Sequence, residues 1–524
     1  MGKPVSRDAL VKNIIDIAHA LDKPAKALSR AAYFSHRKCV CKDTRAMTKL
    51  GGWAALKAEA GDLAQEDIFV PPTAVPKAEK YLVTWAQSNT DVHKPTLKVL
   101  LRYCQDTGAQ LVVIPGDVRS TEQRIATWAS ELHPYICAGR VPVGEHCKVY
   151  GDINLRPTAV TPLSGFEVFA GHASAVFGHP KIQLKTVASG DRQARIFTTT
   201  GAVTVPNYTN TKAGAKALPH HVYGGLVLEK DGELFHARHL LVDDKGAAYD
   251  LGRKYTARGP SKAPAAEALI LGDWHGAKIE EEHVVPVREI VAEVRPKRLI
   301  LHDVLDCDPR NHHRIRDLFD RIRRTHSRGI LNDLDSVRAE VWKTVGQLCD
   351  LAKMVPEIYI VRSNHDEALE RWLNEADPHK DPYNAPFYFE TWAAKAKAAV
   401  RAEPFNAFEY WFRQWAGAFT NVNFLGRDEP LIVKGVALHF HGDKGTNGSR
   451  GSLLQYSKLG VKSVIGHSHT PGIKDGAMQV GVTAGLDHGY NLTPSSWLNS
   501  HAILYNNGKR ALINVIDGRW RNVK

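Results

Sequence analysis

Five times between residues 268 and 470 a short apolar run stops and is followed at once by side chains of metal-ligating type. The segments are LILGDWHG with Asp273 and His275, RLILHDVLDCD with Asp303, Asp306 and Asp308, EIYIVRSNHDEAL with Asn364, His365 and Asp366, VALHFHGDKG with His439, His441 and Asp443, and SVIGHSHTPG with His467 and His469. Runs of Leu, Ile and Val bounded by Gly, Asp or Asn predict short buried strands. A single histidine after a strand is ordinarily a satisfied loop residue. Five such segments in order constrain the chain far more, because the carboxyl ends of strands in an open α/β sheet line one crevice. The donors are carboxylate oxygen, imidazole nitrogen and one amide oxygen, a set suited to a borderline divalent metal without any cysteine. They outnumber the positions on one ion, so two ions are expected. Two such ions ~3.5–4 Å apart clamp a phosphoryl group and activate a water.

As a set, D-x-H, D-x-x-D, N-H-D, H and G-H-x-H resembles the calcineurin-like metallophosphoesterases, over about residues 267–520. The resemblance implies a four-layer metallophosphoesterase β-sandwich flanked by helices for 267–524. It implies that Asp273, His275 and His469 hold a first metal, that Asn364, His441 and His467 hold a second, and that Asp303 bridges both. It makes His365 a catalytic histidine beside the scissile phosphate. Two Mn2+ ions are the expected cofactors, with Fe2+, Zn2+ and Mg2+ as alternatives. The chain departs from the family pattern at His302 and Ser363, where members usually carry glycine. Both are tight-turn positions, and every ligand position is kept.

Upstream, residues 1–65 read as a small helical basic module. Arg30, Arg37, Lys38, Lys42, Arg45 and Lys49 fall close together, and Trp53 and Leu56 are expected core. The block resembles the small repeat associated with homing endonucleases, ending in Gly-x-Trp-x-x-Leu, which implies DNA binding. DIFVPPTAVPKAEK reads as a linker. Residues 80–259 are expected to be a mixed α/β domain, opening with a βαβ unit (YLVTWAQ, PTLKVLLRYCQDTG, AQLVVIPGD) and rich in antiparallel pieces. Asp91 and His93 echo a D-x-H, but no partner segments follow them. YTARGPSKAPAAEA reads as a second linker.

The net charge of +13 favours a polyanionic partner. DPRNHHRIRDLFDRIRRTHSRG sets Arg310, Arg314, Arg316, Arg321, Arg323, Arg324 and Arg328 in one stretch between the second and third segments. Arginine suits backbone phosphates, and with Arg37, Lys38 and Arg45 these are the expected DNA contacts; the bland alternative is a solvated face. A second insert, FYFETWAAKAKAAVRAEPFNAFEYWFRQWAGAF, reads first as the core of a helical subdomain and second as a cap that stacks a base. Seven cysteines in a chain of 524 residues suggest free thiols in a reducing cytoplasm. No run approaches the ~20 apolar residues of a membrane span, and no secretory signal is read at the N-terminus. Homo-oligomerisation stays open.

Over most of residues 80–520 the chain also resembles a family of phage metallophosphoesterase proteins that includes pre-early DNA-degrading and DNA-transfer proteins of tailed phages. GHPKIQLKTVA, TTGAVTVPNYTNTKAGAKALPHH and GGLVLEKDGELFHARHL carry that likeness. It implies a manganese-dependent DNase acting in the cytoplasm of a bacterial host. The alternatives are a phosphoesterase on nucleotides or phosphoproteins, and a DNA-binding or transfer protein with little catalysis.

Overall fold

The apolar run Ala268–Leu271 is buried on both faces, which a strand achieves only between two layers. In the computed structural model, which describes residues 5–41, 43–66, 69–118, 126–189, 194–310, 336–489, 491 and 494–522, the chain is a mixed α/β protein with several sheets. A six-stranded sheet runs in the order Val422–Leu425, Glu357–Val361, Arg298–Leu301, Ala268–Ile270, Asn499–Leu504, Arg510–Val515. The first four are mutually parallel; Asn499–Leu504 runs antiparallel to them, and Arg510–Val515 antiparallel to it in turn. Leu269, Leu271, Leu299, Leu301, Ile358 and Ile360 point to one side, where helices Glu281–Val294 and Val337–Ala352 bury Val287, Ile290, Val291, Val341, Val345 and Leu348. Alternate residues Ala268, Ile270 and Ile300 point to the other side and meet Val436, Leu438, Val464, Met478 and Val480 of a second sheet. The strand period of two thus builds a helix–sheet–sheet stack.

That second sheet has ten strands. Its order is Ile432–Val433, Val436–Ala437, Lys462–Ile465, Ala477–Gln479, Gly472–Lys474, Leu184–Val187, Arg195–Thr199, Ser174–Phe177, Cys147–Tyr150, Arg140–Val143. Strands from before residue 200 and after residue 430 therefore share one sheet, joined by antiparallel pairing of Leu184 with Ile473 and Lys185 with Gly472. A four-stranded sheet, Gln110–Gly116, Lys80–Gln87, Gly224–Asp231, Leu234–Leu241, packs helix Lys94–Thr107 on its far face through Leu97, Leu100 and Tyr103.

The two stretches read as linkers are structured. Arg253–Thr256 and Gly259–Lys262 pair with each other and with Ala247–Asp250 as a three-stranded sheet. Arg253, Lys254 and Thr256 around a single buried Tyr255, and Gly-Pro-Ser-Lys in the next strand, left no alternating apolar pattern to announce them. In residues 69–79, Phe69 stacks on His133 at 3.7 Å and Pro72 O accepts from Ala138 N at 2.8 Å, so the segment lies against the sheet. In the N-terminal module Leu56 is buried and Trp53 packs beside it at partial exposure. Helices Ala385–Val400 and Ala407–Ala416 turn Phe387, Tyr388, Phe408, Trp411 and Phe412 into the core, with Phe387 and Trp411 stacked at 4.9 Å and Trp411 Nε1 donating to Thr391 Oγ1 at 2.9 Å. Those aromatics hold a helical subdomain together.

One buried charge cluster ties the three-stranded sheet to its larger neighbour. Arg238 donates to Glu229 at 2.8 Å and to Asp250 at 2.5 and 2.8 Å, and Tyr103 Oη donates to Asp250 at 2.8 Å. Removing the cation strands two buried carboxylates, and loss of one partner of such a network costs about 3–5 kcal/mol. Arg238→Ala is expected to lose that much stability in urea denaturation; a change below ~1 kcal/mol would mean water reaches the cluster.

Candidate metal centre

The parallel strands deliver their residues to one end. Ala268–Ile270 leads to Asp273 and His275, Arg298–Leu301 to His302 and Asp303, and Glu357–Val361 to Asn364 and His365. From the ten-stranded sheet, Val436–Ala437 leads to His441, and Lys462–Ile465 leads to His467 and His469. Main-chain bonds continue past the strand ends: Asp273 N to Gly481 O at 3.0 Å, Trp274 N to His302 O at 2.9 Å, His275 N to Asp303 O at 2.8 Å, and Gly466 N to His441 O at 2.7 Å. The two sheets are thereby laced together beneath the cluster. Gly466 has no room for a Cβ, which would strike Asp273 Oδ1 and lie 3.2 Å from His302 Cβ.

Four residues of the cluster, His275, Asp303, His467 and His469, have φ of 49°, 47°, 77° and 58°. For non-glycine residues this left-handed backbone costs on the order of 1–3 kcal/mol each and gathers at functional sites. It aims the side chains inward. Ligand atoms of Asp273, His275, Asp303 and His469 lie within 4.8 Å of one another, and so do those of Asp303, His441 and His467. Asp303 belongs to both groups. Asn364 Oδ1 is buried without a hydrogen-bond partner.

The buried acceptors make a cation chemically apt. Neither carboxylate oxygen of Asp273 has a hydrogen-bond donor, although His469 Nε2 is 3.2 Å from Oδ2. Asp303 Oδ1 also lacks one, with His441 Nε2 at 3.2 Å. His275 Nδ1 meets Asp306 Oδ1 at 2.6 Å, which puts its proton there and turns Nε2 toward His469 Nε2 at 2.9 Å. Burial pushes the His469 imidazole down to about 3 and lowers His275, so both rings are neutral near pH 7. Orphaned carboxylate oxygens of Asp273 and Asp303 around neutral imidazoles lack a positive partner, and desolvated polar groups in that state are costly. The His/Asp groups can hold a metal ion.

Protons do that work in part. Burial and the Asp303 carboxylate raise Asp273 to about 6. Burial opposes charging His441, but the Asp303 carboxylate outweighs it and lifts the imidazole to about 9.

Around these residues stands a ring that the motifs did not assign. Asp306 receives His275 and lies 3.2 Å from His365 Nδ1. Asp366 accepts from Val304 N and Leu305 N, both at 3.0 Å, and Ser363 Oγ donates to it at 2.9 Å. Ser363, where a glycine was usual, therefore locks the turn that follows Asp303. Glu340 accepts from Asp306 N at 3.1 Å and Asp308 N at 2.6 Å. Burial leaves His302 neutral, lowered to about 3. His488 joins His275 and His469 in a further group, with Trp497 edge-on to His469 at 4.1 Å. No strand precedes His488, so no pattern marked it.

A cleft of about 570 Å³ opens beside His441, lined by Arg362, Arg427, His439, Phe440, Lys444 and Tyr456. Of the arginines read as DNA contacts, Arg310 is held by Asp381 at 2.6 and 3.0 Å. Arg314, Arg316, Arg321, Arg323, Arg324 and Arg328 lie outside the described residues. Arg37, Lys38 and Arg45 are exposed on the N-terminal module. Among the described residues no helix is long and apolar enough to cross a membrane.

The chain is 34% identical over 471 residues to Protein A1 of Escherichia phage T5, an alignment covering 85% of this chain and 83% of the phage protein. No family profile matches it, and no solved structure does either.

Affinity for a divalent ion is expected to rise with pH. His441 holds its proton up to about 9 and Asp273 up to about 6, and an ion must displace both. Binding is therefore weakest below the lower value and strongest above the higher one. Chelator competition at about pH 5.5, 7.5 and 9 reads this directly; an affinity flat across that range would contradict the proton count.

Proposed function

The chain belongs to the family of Protein A1 of Escherichia phage T5, and on that premise we propose that it is a calcineurin-like metallophosphoesterase that hydrolyses DNA phosphodiester bonds inside an infected bacterium. The observation that carries this reading is the pair of buried His/Asp groups sharing Asp303. A carboxylate common to two groups suits two divalent ions at close range. The helix–sheet–sheet stack with ligands at the strand ends fits the metallophosphoesterase sandwich. Manganese is the ion we favour, since mixed carboxylate and imidazole donors suit it, with Fe2+, Zn2+ and Mg2+ as alternatives.

Asp273, His275 and His469 would hold one ion, Asn364, His441 and His467 the other, and Asp303 both. When bound, the pair would supply Lewis acidity and a water acidic enough to ionise near neutral pH. Asp306 orients His275 so that Nε2 stays a lone-pair donor. The same carboxylate keeps His365 in place at Nδ1. Burial disfavours the charged ring, but Asp303 and Asp306 outweigh it and raise His365 to about 9. His365 then carries a proton at neutral pH and can give it to the departing oxygen. Asp273, His275 and Asp303 are themselves fully buried, with Trp497 beside His469, which keeps bulk water from the ligand oxygens.

DNA is favoured by the net charge of +13, by the exposed Arg37, Lys38 and Arg45, and by the arginine-rich segment from Arg310. A polyanion is held by such charges with an affinity that falls as salt rises. The cleft beside His441 supports a second reading, a phosphoesterase on nucleotides or phosphoproteins, because its volume admits a single small phosphorylated group. A third reading, a DNA-binding or transfer protein with little catalysis, has the basic N-terminal module in its favour.

One assay separates the three. The purified protein with manganese is given duplex DNA, single-stranded DNA and a small phosphodiester. DNA cleavage is expected, abolished in Asp303→Asn with loss of bound metal. His365→Ala is expected to keep its metal and slow turnover by roughly 10²–10⁴. Hydrolysis of the small ester alone would favour the second reading. DNA binding without hydrolysis would favour the third. Loss of metal in His365→Ala would overturn the role given to that histidine.

A further inference from the structure

Two halves of the chain repeat one pairing scheme. In the first, Lys80–Gln87 pairs parallel with Gln110–Gly116 and antiparallel with Gly224–Asp231, which pairs antiparallel with Leu234–Leu241. In the second, Ala268–Ile270 pairs parallel with Arg298–Leu301 and antiparallel with Asn499–Leu504, which pairs antiparallel with Arg510–Val515. The ten-stranded sheet reads the same from either end: antiparallel, parallel, parallel, antiparallel. Register agrees too. Phe177 pairs with Thr199 as Ile465 pairs with Gln479, and Leu184 with Thr198 as Ile473 with Met478.

The loops above the sheets then correspond. Asp273 donates to Gly481 O at 3.0 Å and accepts from Thr483 N at 2.8 Å; Trp85 donates to Gly201 O at 3.1 Å and accepts from Val203 N at 2.9 Å. Ile270 pairs with Ile300, and three residues on stand Asp273 and Asp303. Leu82 pairs with Leu111, and three residues on stand Trp85 and Ile114. An independent marker gives the same overlay. A Cβ on Gly466 would strike Asp273; one on Gly178 would lie 2.6 Å from both Trp85 and Ile114. Trp85 thus occupies the place of Asp273, Ile114 that of Asp303, and His179 that of His467. Trp85 is buried, and His179 spends its nitrogens on Arg156 O at 3.0 Å and Lys181 N at 3.0 Å. The D-x-H of Asp91 and His93 comes several residues too late: His93 stacks on Tyr223 at 3.8 Å and meets Thr96 Oγ1 at 2.7 Å.

The copies meet through equivalent residues. Leu184 lies opposite Ile473, its own counterpart, as a two-fold axis requires of an isologous contact. This contact falls beside the metal-type loop. Strand Gly472–Lys474 begins three residues after His469, Thr186 Oγ1 donates to Pro471 O at 3.3 Å, and Lys181 pairs with Asp475 in the turn that follows. Ser189 bridges to Ser495, two residues before the Trp497 that packs on His469.

We infer that residues 80–242 are a second copy of the fold that carries the metal-type cluster, closed to metal by Trp85 and Ile114, and that this copy positions the His467–His469 loop across the pseudo-two-fold contact. The positioning role rests on the metal-centre reading above; the closure does not.

Two measurements on the full-length chain test this. Manganese is counted per chain, and located by anomalous scattering, in the wild type and in Asp303→Asn. Metal is expected only at the Asp303 cluster, and none is expected in the folded variant; metal retained beside Trp85, His93 or His179 would overturn the closure. In the second measurement, Lys181→Met is expected to weaken manganese several-fold while Lys181→Arg restores it, with both variants matched for fold by circular dichroism. Unchanged manganese affinity in a folded Lys181→Met would overturn the positioning role. A wild type that binds no manganese would retire the proposed function instead. The docking would then be judged by thermal unfolding alone, where a Lys181→Met melting temperature equal to the wild type's would overturn it.

Discussion

Two carboxylates, Asp273 and Asp303, sit fully buried at the meeting of two sheets with oxygens that no donor satisfies. In a low-dielectric interior that arrangement is expensive unless positive charge is brought to it. Much of the surrounding structure answers this demand. His441 is lifted to about 9 and Asp273 to about 6, so protons neutralise part of the charge. Asp306, Asp366 and Glu340 are themselves buried acids, and they are spent on His275, on Val304 N and Leu305 N, and on Asp306 N and Asp308 N. Asp366 and Glu340 set the shape of the loop bearing Asp303, and Asp306 fixes the His275 ring. The left-handed backbone at His275, Asp303, His467 and His469 stores strain in the same place. Strain and unsatisfied charge together mark a site shaped for something other than stability.

Much of this centre was legible because it is local. Each cluster residue follows its strand within a few positions, so apolar run and donor appear side by side in the sequence. Asp306 was visible as a donor type, but only the fold shows that it supports His275 and His365 from outside. His488 was invisible because a long loop brings it in. Ser363 and His302 read as departures from a glycine pattern; the fold gives Ser363 a bond to Asp366, and Gly466 makes room against His302. The strands Arg253–Thr256 and Gly259–Lys262 could not be read, since one buried tyrosine among charged and polar residues, followed by Gly-Pro-Ser-Lys, leaves no period-two signal. Nor could the ten-stranded sheet, whose central pair joins residues 184 and 473 and has no local signature.

The repeat explains why the upstream half resisted reading. Its strands keep the register of the downstream half while the strand ends carry Trp85 and Ile114 where the downstream half carries Asp273 and Asp303. Apolar residues at the place that faces the crevice in the downstream half make it core: Trp85 and Ile114 pack with Val112, Val176 and Leu226. A motif search looks for donors, so it finds nothing there. The glycine that faces the site, Gly178 against Gly466, keeps its identity in both copies, because any side chain would collide in either.

Edge strands explain why a metal-free copy would be kept at all. Without a partner, Gly472–Lys474 would be the bare edge of the sheet whose neighbouring loop bears His467 and His469. An unpaired edge frays and invites wrong pairing. Fraying there would move imidazoles that must each stay within about 0.5 Å of their ligating positions. Leu184–Val187 caps that edge, and Lys181 pins the turn at Asp475. A second subunit could do the same, but only at a protein concentration that keeps the dimer formed. Carried in one chain, the cap is present at every concentration, and the half without donors has a physical reason to stay.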